Sequence, residues 1–292
     1  MQRYANFLII NGVKSKGNGT KFELAESSRV TRALPCQVQQ KLKGWVETRN
    51  TPIPLFAWWR YNPLPPRVSS SNRWLRLLLS YFIYLFIFFF GSASDLFSAG
   101  TETPSTQITW GLFYVMKYPD VQARLHRELD NVVGAERLPE LSDRPNLPYL
   151  DAFLNEMVRI VSETPLAIPH LTMRDTSLAG FYIPRDTSVI VNLWAIHHDL
   201  EYWKDPFTFR PDRFLDKEGR LGVHGILPFS AGIRTCPGER FGRKAVFLCL
   251  SRLLHRFKFE CPEGEELPAE EDSDLGILRN CKPFKIRAIT RN

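Results

Sequence analysis

Cysteine is scarce in this sequence, and none of it is arranged in close pairs. Five cysteines occur, with no Cys-x-x-Cys among them: Cys36, Cys236, Cys249, Cys261 and Cys281. An odd number of widely spaced thiols argues against a disulfide framework and against a zinc site built from cysteine pairs, and it indicates a reducing compartment. The sequence also lacks any recognisable nucleic-acid-binding module. Its amino-terminal apolar stretch is too short for a convincing secretory signal.

Charge of one sign is only modestly in excess. The 292 residues carry a formal net charge of +7, with 44% hydrophobic and 24% charged residues. This composition is typical of a globular protein, and the length allows one large domain or two ordinary ones. Basic runs usually cover a solvated face, and an acidic partner or a membrane surface is the alternative.

The sequence changes character near residue 91. Residues 1–73 show little sustained periodicity, and Pro63–Pro66 indicates a loop or an extended linker. An apolar segment follows at residues 74–90, and residues 77–94 contain no charged side chain. This segment predicts either a membrane-spanning helix or a buried helix of a large domain.

The second part of the sequence has regular patterns. Apolar spacing, with proline and glycine as start and stop signals, predicts four helices: one that contains Ile108–Met116 and ends at Tyr118, and others over residues 119–133, 150–161 and 237–257. The stretch AGFYIPRDTSVIVN predicts a β-hairpin around residues 184–187.

The decapeptide FSAGIRTCPG, residues 229–238, places one cysteine between two glycines. Pro237 suits the first position of a helix, which would place Cys236 at the N-cap, where backbone N–H groups favour a negative charge. Gly232 and Gly238 allow a sharp turn or a close approach to a flat group, and Arg234 adds positive charge. A lone thiolate here suits either a catalytic nucleophile or one axial metal ligand. An ordinary buried cysteine would explain the thiol but not the whole pattern.

The pattern F-x-x-G-x-R-x-C-x-G resembles the heme-binding loop of the cytochromes P-450, most closely the animal microsomal enzymes. The resemblance covers about residues 92–290. It implies a mainly α-helical fold with small β-sheets, here truncated, because the amino-terminal half of that fold is not recognisable. It divides the chain into residues 1–91, which are unassigned or divergent, and residues 92–292, the carboxy-terminal heme-binding half.

The resemblance also implies roles for the loop residues. Cys236 would be the axial thiolate of a heme b iron, and this family is the standard example of thiolate-ligated heme. Phe229 would pack beside the sulfur, and Arg234 would pair with a heme propionate. Gly232 and Gly238 would complete the loop that contacts the cofactor.

The stretch FSAGTETPS, residues 97–105, resembles the oxygen-binding groove of the family's long central helix. Ala99 and Gly100 would form a small surface above the heme, and Glu102 and Thr103 would relay protons to bound dioxygen. Taken alone, this stretch also suits a helix N-cap. Pro104 replaces the usual hydroxyl residue, removes one helix hydrogen bond, and is expected to deepen a kink or to displace Thr103.

Glu156 and Arg159 match the family's E-x-x-R motif, and Arg213 in FRPDRF would complete an ion-paired triad. The local pattern favours a solvent-facing pair, because both residues lie beside or opposite the apolar stripe of their helix. The downstream match favours a structural core triad that holds the cysteine loop.

The resemblance also implies roles for His170 and for two segments near the substrate. His170 would bind a propionate, and the alternative is a histidine that caps a strand. Residues 164–169 and 275–277 would line the substrate pocket. The adjacent His197 and His198 are expected to be structural, because neighbours on a helix point about 100° apart and do not bind one metal together.

The reaction implied by the resemblance is insertion of one atom of dioxygen into an apolar organic substrate at the endoplasmic reticulum membrane. An NADPH-dependent flavoprotein reductase would supply electrons, and Arg240, Arg243 and Lys244 would offer it a basic docking face or form an ordinary helix surface. The alternative function is a non-catalytic remnant that binds heme poorly or acts only as an interaction fragment. Trp45 and Arg49 have the spacing of the family's Trp-x-x-x-Arg propionate motif, although chance also explains this match.

Overall fold

The computed structural model describes residues 8–11, 73–222 and 225–291. Trp45, Arg49 and the loop Pro63–Pro66 lie outside the described residues. Backbone contacts divide the chain into two compact units. One contains residues 1–33 and 102–292, and the other contains residues 34–101.

The described part of the chain is mainly helical with small sheets, as predicted. The helices are α1 (Arg73–Lys117), α2 (Pro119–Val133), α3 (Pro148–Val161), α4 (Leu193–His197), α5 (Leu200–Trp203) and α6 (Glu239–Arg256). The strands are β1 (Leu8–Asn11), β2 (His170–Leu171), β3 (Thr176–Leu178), β4 (Phe181–Ile183), β5 (Ser188–Val191), β6 (Phe257–Glu260), β7 (Asp274–Leu275), β8 (Arg279–Asn280) and β9 (Arg287–Thr290). Short 3-10 helices at Leu141–Asn146, Pro211–Phe214, Gly232–Arg234 and Glu270–Asp272 lie in the connections.

The helix boundaries follow the proline and glycine signals of the sequence. Helix α1 ends one residue before Tyr118, because Pro119 disfavours helical backbone in the residue that precedes it. Pro119 is then the first residue of α2, and Gly134 ends α2 with a φ of +70°. Helix α6 begins at Glu239 and not at Pro237, so the prediction that Cys236 is the N-cap is wrong; Gly238 occupies that position.

Helix α1 contains the apolar segment at residues 74–90. Residues Leu77–Lys117 are long and apolar enough to cross a membrane, with a mean hydropathy of 1.9 in their most apolar window. The large side chains of this window are exposed on every side of the helix, from 41% at Leu85 to 75% at Phe89. A helix that is apolar all round suits a protein interior or a lipid bilayer, and these side chains are not buried within the described residues.

The strands form four small antiparallel sheets with the orders β1-β5-β2, β3-β4, β6-β9 and β7-β8. Strands β4 and β5 flank residues 184–187 as the sequence predicts, but they pair with other strands, so the predicted hairpin is wrong. The reason is Thr172, whose hydroxyl donates to Pro184 O at 2.7 Å and accepts from Thr187 N at 2.9 Å. These bonds hold the connection against the loop after β2 and direct β5 towards β1 and β2.

The main core lies between the carboxy-terminal part of α1 and helices α2, α3 and α6. Trp110, Phe113 and Tyr114 are at most 1% exposed, and Tyr114 stacks on Phe209 with ring centroids 4.3 Å apart. Gly111 lets α1 approach its neighbours closely, since a Cβ at this position would lie 2.7 Å from a methyl carbon of Leu250. This packing fixes the helices from which the candidate site is built.

Candidate functional site

The cysteine loop is closed by its own backbone. The carbonyl oxygen of Phe229 accepts from Cys236 N at 2.9 Å and from the Thr235 hydroxyl at 3.1 Å. Ser230 and Gly232 both have positive φ, of 64° and 80°, which turns the chain sharply enough to bring these ends together. The loop thus holds Cys236 by its main chain and leaves the side chain exposed.

The surroundings of the sulfur suit a ligand that approaches from outside. A Cβ on Gly238 would lie 3.8 Å from Cys236 Sγ, so glycine keeps this side of the sulfur open. Arg234 is exposed on the same loop, and Ile233 beside it is fully exposed. One soft sulfur donor with a cationic side chain nearby is chemistry that fits thiolate ligation of an iron porphyrin and pairing with a carboxylate of that porphyrin.

Phe229 is supported from the side of α3 and α6. The Arg243 guanidinium lies 4.8 Å from the centre of the Phe229 ring, and it also donates to Glu239 Oε1 at 2.9 Å and to Asn155 Oδ1 at 3.4 Å. Of the three basic residues expected on a docking face, Arg240 and Lys244 are exposed, whereas Arg243 is half-buried in these contacts. Sequence reasoning missed this support role of Arg243. Its i,i+4 spacing from Glu239 was the available signal.

The predicted triad is present and buried. Glu156 and Arg159 are 0% exposed, and the carboxylate accepts from Arg159 Nε at 2.7 Å and from Arg159 Nη2 at 2.9 Å. Glu156 Oε1 also accepts from Arg213 Nε at 2.9 Å and from Arg210 N at 2.8 Å. The remaining Arg213 donors reach three carbonyl oxygens, of Trp203, Asp205 and Thr208. The triad therefore joins α3 to the segment at residues 203–213.

His197 connects the triad to the approach to the cysteine loop. Arg159 Nη1 donates to the His197 carbonyl at 2.8 Å, and His197 Nε2 accepts from Leu227 N at 3.0 Å. Because Nε2 accepts, the proton of the neutral ring is on Nδ1, which donates to the Ser162 hydroxyl at 2.8 Å. Burial lowers the pKa of His197 to about 3, and the neighbouring charges of His198 and Arg159 act in the same direction.

His198 has separate contacts. Its ring stacks on Trp194 with centroids 4.3 Å apart, and its Nδ1 lies 2.8 Å from the Trp194 carbonyl. Burial lowers the pKa of His198 to about 3 as well. The two histidines thus contact different groups, and among the described residues no cluster of three or more metal-ligating side chains occurs.

His170 is the first residue of β2, and it pairs with Val189 in the β1-β5-β2 sheet. Its side chain is half-buried. The strand therefore fixes the backbone of His170, and its role at a propionate stays a prediction.

The four residues expected on the oxygen side of the heme lie on α1. Ala99, Gly100 and Glu102 are exposed, and Thr103 is half-buried. Helix α1 continues through Pro104. Because proline has no N–H, it leaves the carbonyl at position 100 without its helical donor. The hydroxyl of Ser105, directly after the proline, donates to Glu102 O at 2.9 Å.

Comparisons with known proteins agree with these features. The sequence profile of the family described as cytochrome P450 matches residues 91–288. Cytochrome P450 1A1 of Opsanus tau is 44% identical over 205 residues, which cover 69% of this chain and 39% of that protein. Steroid 17-alpha-hydroxylase/17,20 lyase of Gallus gallus is 41% identical over 204 residues, which cover 68% of this chain and 40% of that protein. A zebra fish cytochrome P450 solved with abiraterone has a TM-score of 0.64 and 42% identity, with 68% of this chain and 48% of that chain covered. The chain thus spans about two fifths of the length of these two curated relatives.

Proposed function

The chain belongs to the cytochrome P-450 family, and on that premise we propose that residues 92–292 form the heme-binding half of a heme–thiolate monooxygenase. The observation that carries this proposal is the exposed Cys236 side chain on a loop that the backbone holds from Phe229. When bound, the heme iron would supply the activation of dioxygen and the transfer of one of its two oxygen atoms to an apolar organic substrate.

The residues of this chain have separate tasks in that proposal. Cys236 would hold the iron, and Gly232 and Gly238 would keep its surroundings open. Arg234 and His170 would bind the propionates. The Glu156–Arg159–Arg213 triad would do no chemistry; it would fix the backbone that leads to the loop.

On the distal side, Ala99 and Gly100 would leave room beside the heme for dioxygen. Glu102 and Thr103 are adjacent on α1, and they would hold and pass a proton between the carboxyl and the hydroxyl oxygen. Pro104 follows them directly within α1 and removes one helix hydrogen bond, so it is the residue most able to disturb this pair.

Partners and location extend the same proposal. An NADPH-dependent flavoprotein reductase would dock beside the cysteine loop, where Arg240 and Lys244 are exposed. The uncharged run at residues 77–94 would cross the endoplasmic reticulum membrane, because about 20 apolar helical residues are needed to span a bilayer. The exposure of these side chains supports that location.

A second candidate function is a remnant that binds heme poorly or acts only as an interaction fragment. The two candidates differ in whether the purified chain holds heme in a thiolate-ligated form.

Replacing Cys236 tests the proposal. The carbon monoxide complex of the reduced, heme-loaded chain should show the absorption band of thiolate-ligated heme, and Cys236→Ser should abolish it. Cys249→Ser is the matched control, because Cys249 is also exposed and lies on α6. Equal loss in both variants, or a thiolate band that survives in Cys236→Ser, would reject Cys236 as the ligand.

A further inference from the structure

Glu163 is a buried carboxyl at the exit of α3 that none of the preceding roles uses. It follows Ser162, which ends the helix in the left-handed conformation with a φ of 44°. Its backbone carbonyl accepts from Arg279 N in β8 at 2.7 Å, and the residue is 8% exposed. The backbone that carries this carboxyl is therefore fixed by two elements.

The side chain of Glu163 lies against the distal face of α1. Its Oε2 accepts from Gln107 Nε2 at 2.9 Å. Gln107 follows Thr103 by four residues, so the two share a face of the helix. Residues 164–169 follow Glu163 directly, and the β7-β8 hairpin is joined to it through Arg279. Glu163 therefore lies where the helix with Thr103 meets both segments expected to line the substrate pocket.

The second carboxyl oxygen of Glu163 lacks a partner comparable to Gln107 among the described residues. Glu163 Oε1 is buried without a hydrogen-bond partner among the described residues. The pKa of Glu163 is raised to about 7, because the effect of burial, with a smaller contribution from the charge of Glu102, outweighs the lowering by the bond from Gln107. The nearby guanidinium of Arg279 donates to the carbonyl oxygens of Val161 and Glu270 instead. Ionisation of Glu163 is thus costly, because no cationic side chain among the described residues forms an ion pair with it.

We propose that Glu163 is a recognition carboxyl for an organic cation, whose positive charge compensates the unpartnered carboxyl oxygen. The inference rests on the proposed function, because it takes the ligand to be the organic substrate of that function. A cation supplies an opposite charge to Glu163, whose carboxyl is buried and therefore poorly screened by water. The apolar part of the ligand would contact Ile168 and Ile277, which are each 62% exposed.

The test compares a cation with an uncharged molecule of the same shape. The probes are 4-phenylbutyltrimethylammonium and its carbon isostere, in which a tert-butyl group replaces the charged group. A quaternary nitrogen cannot coordinate iron, so binding reports contacts with the protein. Equilibrium dialysis with the complete, heme-loaded chain would give the affinity of each probe at pH 6, 7 and 8.

Affinity for the cation should rise about ninefold between pH 6 and pH 8, because the ionised fraction of a carboxyl with a pKa of about 7 rises from roughly 10% to roughly 90%. Affinity for the isostere should not change with pH. Glu163→Gln should remove both the pH dependence and the preference for the cation, and Glu163→Asp should retain a preference. Glu136→Gln, at an exposed position, is the matched control and should behave as the unmodified chain.

Two results would overturn the inference: equal affinity for both probes in the unmodified chain, or a pH-dependent preference for the cation that persists in Glu163→Gln. The first requires no variant, so it does not depend on how a variant folds. The thiolate-type carbonyl band separates this inference from the proposed function. A normal band without charge preference rejects the cation site alone, and charge preference without the band rejects the monooxygenase alone.

Discussion

Replacement of Glu156 by glutamine should destabilise the protein strongly, although the side chain keeps its shape. The carboxylate accepts from Arg159 twice, from Arg213 Nε and from Arg210 N. The side chain of Arg159 is 0% exposed and that of Arg213 is 5% exposed, so water cannot solvate either guanidinium group. Glutamine would leave two buried guanidinium groups uncompensated and would point N–H donors at one of them. Removal of one partner from a buried pair costs about 3–5 kcal/mol.

A loss of that size is a large part of the roughly 5–15 kcal/mol by which domains are stable. Urea unfolding, followed by far-ultraviolet circular dichroism at pH 7, should show it as a lower midpoint with an unchanged slope. Glu201→Gln is the control, because Glu201 is exposed on α5 and its replacement should change stability by less than about 0.5 kcal/mol. A Glu156→Gln loss below about 1 kcal/mol would refute the argument that the triad is an unscreened charge network.

Three further outcomes are expected. Stability should fall between pH 7 and pH 5, because His197 and His198 are buried and neutral with pKa values lowered to about 3, whereas the unfolded chain binds protons below about pH 6.5. Each histidine would contribute a loss of about 2 kcal/mol at pH 5, so His197→Gln should flatten the acid limb of urea-midpoint measurements; an acid limb as steep as that of the unmodified chain would contradict this. If the chain turns over, Pro104→Thr should raise the ratio of product formed to NADPH consumed, and unchanged peroxide release would show that the proline leaves Glu102 and Thr103 undisturbed. Arg234→Ala should lower the affinity of the chain for heme, since a lost charged hydrogen bond costs about 1.5–3 kcal/mol; unchanged heme affinity would contradict this.

Local patterns were enough to predict the long helices but not the burial of the triad. Helix α3 begins at a proline and carries an apolar stripe, and both signals are visible in the sequence. The stripe places Glu156 and Arg159 towards solvent. In the structure they are covered by Arg213 and the segment at residues 203–213, which are some 50 positions away along the chain. Only the match to the family's motifs could indicate such a contact from the sequence.

The two errors in local structure have similar causes. Residues 179–192 have the pattern of two strands around a turn, and both strands form. Their pairing, however, depends on the hydrogen bonds of Thr172, which lies outside this segment. Pro237 indicated the start of α6, but the cysteine loop uses the hydrogen bond between Cys236 N and Phe229 O, and the helix begins only after Gly238.

The contacts that hold Cys236 form a continuous path within the part of the chain matched by the family. Arg159 donates to the His197 carbonyl, and the His197 ring accepts from Leu227 N. Phe229 lies two residues after Leu227, and its carbonyl accepts from Cys236 N. Each step uses a buried or backbone group, so the position of the sulfur depends on few side-chain torsions. Arg234, by contrast, is an exposed loop side chain, and His170 is a half-buried strand side chain. Rigid placement of Cys236 therefore comes from residues 156–239, whereas the proposed pairing of Arg234 and His170 with propionates would rely on side chains outside this path. Binding strength and ligation geometry should separate in this chain: mutations along the path should alter the carbonyl spectrum, and mutations of Arg234 or His170 should alter heme affinity while the spectrum of the bound fraction stays the same.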